Sequence, residues 1–334
     1  MLYVLCYKLY YMKLTIAYFG SPQFSADLLE KILTDKDLKK NIHLKMVVTQ
    51  PDRLAGRKQT PTPTPVKKIA QKNKIKIFTD LSDLNNLTNK INFKNLDLAL
   101  VYAFGKIIPP SLLNIPKLGF WNIHPSLLPQ YRGSSPIAYP LILGKKKTGV
   151  TIIKMDEKID HGPIIDKKSL TITANDYRRD LERKLTDLAF KMVKPLLLKP
   201  QNISFQPQNH KKATSTHFLT KNDGFVEFPL LKKIIDEESI DKEKLIPQFL
   251  KKYLNQYPKE KDSFFKNFSS SRFLFNLFRG LSPWPGVWTI LPNSKRLKII
   301  DLTLEKEKVK ILNVQLEGKK EVAFLTFNRA YKFF

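Results

Sequence analysis

Five short apolar runs, separated mostly by helix-like stretches, organise the first third of the chain: KLTIAYFG (13–20), LKMVVTQ (44–50), IKIFT (75–79), LDLALVYAF (96–104) and LGFWNIH (118–124). Short apolar runs bounded by turn signals read as strands buried on both faces, which is the habit of parallel sheets. Their alternation with helical patterns predicts an open, mostly parallel α/β sheet. Gly20-Ser21-Pro22 turns the first strand into a helix starting near Phe24, and Pro51 with the Pro/Thr alternation at 61–65 marks a long loop after the second strand.

Beyond His124 the pattern changes. A turn at 129–133 leads to a helix over 136–143, and GVTIIKMD (149–156) with GPIIDKKSLTI (162–172) reads as an antiparallel pair. An amphipathic helix over about 176–198 follows, and residues 199–217, rich in Pro, Gln and Asn, read as a linker. The stretch 229–280 is helical and Lys-rich, and 285–334 alternates β-branched and polar residues as in a small sheet or barrel. We therefore expect a catalytic domain over 13–204 and a smaller β-rich domain over 205–334 carrying a Lys-rich helical insertion. The apolar opening, residues 1–12, lacks a basic start and a small-residue cleavage site, and with Met12 as an alternative start it is expected to be a non-structural extension.

Composition adds two constraints. Lys and Arg number 58 against 30 Asp and Glu, and a formal charge of +28 attracts phosphates, so nucleic acid is the natural partner. An A/T-rich coding sequence would produce the same bias, so the position of the basic residues decides more than their total. The single Cys6 excludes an internal disulfide and a cysteine-based zinc cage, which fits a cytoplasmic protein; no metal-ligand cluster is visible and no metal is expected.

The chemistry concentrates in WNIHPSLLPQYRGSSPI (121–137), which begins at the carboxyl end of a central strand, where open α/β sheets place their ligand crevice. Asn122 and His124 are two residues apart, so both side chains leave the strand on one face. MDEKIDHG (155–162) follows another strand and offers Asp156 and Asp160. One of these carboxylates is expected to reach the imidazole, and spacing alone does not choose between them. An amide, an imidazole and a carboxylate around a carbonyl suit acyl transfer to an amine, with donors for the oxyanion and a His–Asp pair for the proton.

Several strings, among them AYFGSPQFSADLL (17–29), TQPDRLAGR (49–57), LVYAFGKIIP (100–109), NIHPSLLPQYRGSSPI (122–137), TGVTIIKMDEKIDHGPI (148–164) and LSPWPGVWT (281–289), resemble the formyltetrahydrofolate-dependent formyltransferase family. The resemblance runs from about Lys13 to Tyr331. It implies a Rossmann-like catalytic domain, 10-formyltetrahydrofolate as co-substrate, and, within the family, the branch that formylates initiator methionyl-tRNA for translation initiation. Asn122, His124 and Asp160 match the family's catalytic trio. Ser126, Leu127, Leu128 and Pro129 match its folate-contact turn, and the strand end at Val101 and Gly105 matches the segment that faces the pteridine. The loop holding Arg53, Arg57 and Lys58 matches the one that meets tRNA, with Arg57 the preferred contact.

A monomer with no membrane association is expected. Two departures stand out: 229–270 is longer and richer in lysine than the family pattern, and the strands between Trp288 and Val314 are few, so a reduced barrel is expected. Transfer to another amine, such as that of a sugar nucleotide, and a catalytically inactive RNA-binding relative are the alternatives. The PDRLAGR loop and the second domain argue against the former, and the intact trio against the latter.

Overall fold

The computed structural model describes residues 13–55, 59–82, 95–266 and 268–334; the expected extension 1–12, and Arg57 and Lys58, lie outside the described residues. Seven strands, β1 (Leu14–Gly20), β2 (Ile42–Val48), β3 (Lys76–Phe78), β4 (Leu98–Tyr102), β5 (Phe120–His124), β6 (Lys147–Lys154) and β7 (Ile164–Thr171), form one sheet in the order β7-β6-β5-β4-β1-β2-β3. The five predicted apolar runs are its parallel part, and β6 runs antiparallel to β5. The sheet is thus the open, mostly parallel one expected from the pattern.

The strands are apolar on both faces because both faces are covered. Every residue of β4 is buried. Ala17, Phe19, Ala99, Val101 and Phe120 point into one core cluster, in which Phe104 and Phe120 pack edge-on against Phe19. Helices α1 (Gln23–Thr34), α2 (Lys36–Asn41), α3 (Pro65–Lys72) and α4 (Arg178–Leu198) accompany the sheet. In α4 the residues Leu181, Leu185, Ala189, Met192, Val193 and Leu197 are buried at helical spacing, the single apolar stripe that such a helix turns inward. Asp35 caps α2 by accepting from the amides of Asp37 and Leu38, and Lys194 of α4 places its ammonium 2.8 Å from both Asp35 and Asp37.

The long loop expected after β2 is more ordered than its prolines suggest. Arg53–Ala55 and Thr60–Thr62 pair antiparallel, and Thr64 then caps α3. The first compact unit comprises residues up to 132, 149–170 and 182–213, and the second comprises 133–148, 171–181 and 214–334.

In the second unit, four antiparallel strands, β8 (Val287–Ile290), β9 (Arg296–Glu305), β10 (Lys308–Leu316) and β11 (Glu321–Ala323), lie in sequence order. Alternation along β9 and β10 buries Leu297, Ile299, Leu302, Ile311 and Val314. The Lys-rich stretch is a layer of helices, α5 (Phe228–Ile235), α6 (Gln248–Gln256) and α7 (Pro258–Lys266), before α8 (Ser270–Leu281) and the terminal α9 (Phe324–Tyr331). It earns its place by packing: α6 turns Phe249 and Tyr253 against the buried Tyr139 ring, at 5.9 and 5.0 Å between centroids. Trp288 packs on Phe225 and donates to the Lys221 carbonyl, as a packing tryptophan should, whereas Trp284 stays half exposed.

Candidate active site

β5 delivers Asn122 and His124 to the open edge of the parallel strands, with Asn122 opposite Val101 of β4 and His124 opposite Thr151 of β6. The loop between β6 and β7 brings Asp160 back to them. Two backbone features make that return possible. Asp160 takes φ +49°, a left-handed conformation that Asp adopts more readily than most residues. Gly162 lies so close to β6 that a Cβ there would stand 1.8 Å from the Lys154 carbonyl oxygen, so only glycine fits.

The three side chains converge. Asn122 Nδ2 donates to Asp160 Oδ1 over 2.9 Å, and His124 Nδ1 is 3.4 Å from Asp160 Oδ2. His124 Nε2 lies 3.0 Å from the carbonyl oxygen of Tyr131. A carbonyl can only accept, so Nε2 is the ring nitrogen that donates here, and Nδ1 faces the Asp160 carboxyl. The side chains of His124 and Asp160 are 5% and 9% exposed, and a carboxylate so enclosed is stable only when paired. Spacing left Asp156 and Asp160 as alternatives, and the geometry chooses. Asp156 is engaged elsewhere, with Oδ2 2.6 Å from His161 Nδ1.

The turn that follows β5 contains a cis Leu128–Pro129 bond and is held from below by Thr151. The Thr151 hydroxyl donates to the Ser126 carbonyl over 2.7 Å and accepts from the Leu128 amide over 3.1 Å. Ser126 is buried and spends its own hydroxyl on the Gln130 carbonyl, and Leu128 sits in a core cluster with Ile153 and Ile164. Of the four residues, Leu127 and Pro129 keep partial exposure.

One strand over, the backbone beyond Val101 is irregular. Ala103 and Gly105 have φ of +53° and +78°, and the Phe104 carbonyl accepts from Ser21 Oγ and Gln50 Nε2 at 3.1 and 2.9 Å. The left-handed φ of Gly105 disfavours any side chain there, so the exposed peptide edge is kept bare. Gln50 also accepts from Arg53 through Oε1, which links the Arg53 hairpin to this edge. Of the predicted RNA-contacting residues, Arg53 is therefore exposed and placed beside the candidate folate edge, and Arg57 and Lys58 lie outside the described residues.

Sequence reading missed the layer behind the trio. Gln208, in the presumed linker and only 6% exposed, donates through Nε2 to the carbonyls of Asp160 and Gly162 at 2.9 and 2.8 Å. Its Oε1 accepts from Arg132 over 2.7 Å, and Arg132 also donates to His210 Nδ1 over 2.8 Å. His210 stacks flat on His161 at 4.0 Å. Loss of hydration draws the His210 pKa below the usual histidine range, and the nearby His161 and Arg132 add to the effect. Burial likewise lowers that of Arg132, against the pull of Asp160 and Asp156. No periodic pattern marks these residues, because each acts through a hydrogen bond rather than a packed face. Among the described residues no group of three metal-ligating side chains comes together, and no helix is long and apolar enough to cross a membrane.

The family model described as Formyl transferase matches residues 12–195, and that described as Formyl transferase, C-terminal domain, matches 260–310. A methionyl-tRNA formyltransferase of Caldicellulosiruptor saccharolyticus is 32% identical over 293 residues, covering 87% of this chain and 80% of the relative. One of Staphylococcus aureus is 33% identical over 319 residues, covering 94% and 87%. Among solved structures, a 4-N formyltransferase from Francisella tularensis is similar with a TM-score of 0.58 at 20% identity, over 89% of this chain and 99% of that one. An N-formyltransferase from Helicobacter canadensis, in complex with folinic acid and dTDP-3-aminofucose, gives 0.53 at 20% identity, over 88% and 89%. These two show a shared fold.

Proposed function

The chain belongs to the formyl transferase family, and from that premise we propose that it transfers the formyl group of 10-formyltetrahydrofolate to the amino group of initiator methionyl-tRNA. The observation that carries the reading is the convergence of Asn122, His124 and Asp160 at the end of β5. The deprotonated methionyl amine attacks the formyl carbon, a new C–N bond forms, and the formyl oxygen becomes an oxyanion. Collapse breaks the bond from that carbon to N10 of the folate, and the proton lost by the amine ends on N10.

Each residue has a task that its surroundings permit. Asn122 commits one amide hydrogen to Asp160 and has a second with which to meet the oxyanion. His124, held by Asp160 on Nδ1, donates from Nε2 to the same oxygen in place of the Tyr131 carbonyl. Asp160 fixes both partners and, through water, passes protons between the amine and N10. Leu127, Pro129 and the bare peptide edge at Gly105 are the groups placed to hold the folate, with Ser126, Leu128 and Val101 shaping the wall from behind. The Arg53 hairpin, with Arg57 and Lys58 close by in sequence, meets the acceptor end of the tRNA, and the basic second unit adds phosphate attraction. We assign the protein to the cytoplasm as a monomer, with a single Cys6 that needs no oxidising compartment.

The test is transfer of labelled formyl from 10-formyltetrahydrofolate to charged initiator tRNA, with charged elongator tRNA, uncharged tRNA and an amino-sugar nucleotide as parallel acceptors. Label on the initiator alone supports the assignment. Label on the sugar nucleotide, or none anywhere, overturns it.

A further inference from the structure

We propose that Gln208 is a positioning residue for the formyl transfer, one that sets both contacts of the His124 ring at once; this rests on the site reading given above. Each ring nitrogen of His124 has one polar contact, Asp160 on Nδ1 and the Tyr131 carbonyl on Nε2. These belong to two separate stretches of chain. Gln208 reaches both: its amide nitrogen holds the carbonyls of Asp160 and Gly162, and its amide oxygen holds Arg132, the residue directly after Tyr131.

The chemistry of the amide makes this a specific role. Two converging carbonyls need a donor with two hydrogens, and a guanidinium needs an acceptor. Only Asn and Gln supply both from one group without charge. Asp160 adopts a left-handed backbone and Gly162 is pressed against β6, and Gln208 holds the carbonyls of both. Gln208 is itself held in register by the antiparallel bridge between Ile164 and Gln206, whose amides and carbonyls pair at 2.7 and 2.8 Å. Gln208 is buried behind the trio, so its loss is expected to change turnover rather than binding.

The experiment is a double-mutant cycle between Gln208→Met, which keeps length and apolar bulk but loses the amide, and Asp160→Asn. For Gln208→Met we expect kcat to fall on the order of 10²-fold, as a displacement of reactive groups by about 1 Å does, with KM for 10-formyltetrahydrofolate and for tRNA held within about threefold. In the Asp160→Asn background the same substitution should cost almost nothing further. Gln208→Glu should not rescue, because a carboxylate repels both carbonyls. Full kcat in Gln208→Met, a loss confined to KM, or full additivity of the two substitutions would each overturn the proposal. If Gln208→Met does not accumulate as folded protein, Gln208→Asn reads the same coupling with the amide kept but withdrawn by one methylene. If Asp160→Asn alone retains full turnover, it is the site reading that fails.

Discussion

The side-chain amide of Asn122 donates to the carboxylate of Asp160 across 38 positions of sequence, over 2.9 Å. That bond orients the amide, so its remaining hydrogen has a defined direction. Substituting Asn122 by Ala should lower kcat by about 10²–10³-fold, the usual cost of one oxyanion donor, and His124→Ala should do the same. Single-turnover formyl transfer measures both. Circular dichroism should show both variants folded, and near-normal rates would remove these residues from the chemistry.

Asp160→Asn keeps the shape of the carboxylate and removes its charge. The partnership with His124 is then lost while the packing stays, and kcat should fall by about 10²–10⁴-fold, the range that positioned acid–base groups contribute. Affinity for 10-formyltetrahydrofolate, measured by fluorescence titration, should change little. Asp156→Asn is the control, since that carboxylate faces His161 instead.

Gly162→Ala inserts a methyl group into the space of the Lys154 carbonyl. Either β6 or the loop must move, and the strain should cost about 1–3 kcal/mol in stability, read from urea unfolding midpoints. Activity should fall further than the stability loss explains, because the moving loop carries Asp160. An unshifted midpoint would mean that the loop accommodates a side chain.

Arg53 is exposed, and its guanidinium donates to the neutral side chain of Gln50. Arg53→Ala should raise KM for charged tRNA and leave turnover at saturating tRNA unchanged. The slope of log KM against log salt should become shallower by about 1 if Arg53 meets one phosphate. An unchanged slope would assign the loop to something other than the RNA backbone.

Asp35 caps α2 and pairs with Lys194, and the Lys194 hydrogen bonds hold its carboxyl below the usual carboxylate range. A depressed folded pKa stabilises the protein above the unfolded pKa near 3.8 and is lost as pH falls through the lower folded value. Asp35→Ala should cost about 1 kcal/mol at neutral pH, the usual worth of a cap, and its melting temperature should converge with that of the parent at acid pH. A gap that persists at pH 2 would exclude the ionised cap as the cause.

The parts legible in sequence were those that repeat. Buried strands such as β4 announce themselves by unbroken apolar runs, and α4 by its stripe, because burial imposes a period. Asn122 and His124 were legible because strand geometry places i and i+2 together. Spacing did not choose between Asp160 and Asp156, and only the family resemblance pointed to Asp160; its approach to His124 depends on a left-handed backbone and a glycine contact that spacing does not encode. Gln208 was read as linker for the same reason. Its segment lacks apolar residues, and what orders it is the Ile164–Gln206 bridge and a single amide, neither of which leaves a trace in hydrophobicity.

That bridge and that amide also bear on how this enzyme can be divided. A fragment ending after Leu198 would contain Asn122, His124 and Asp160, and every strand of the sheet. It would still lack Gln208 and His210, so its reactive groups would be present but unbraced. If Gln208 positions the site as proposed, an exchange of the second half of the chain should preserve activity only when the join falls beyond the 3₁₀ turn His210–Lys212. The inheritable module of this catalyst is longer than its sheet.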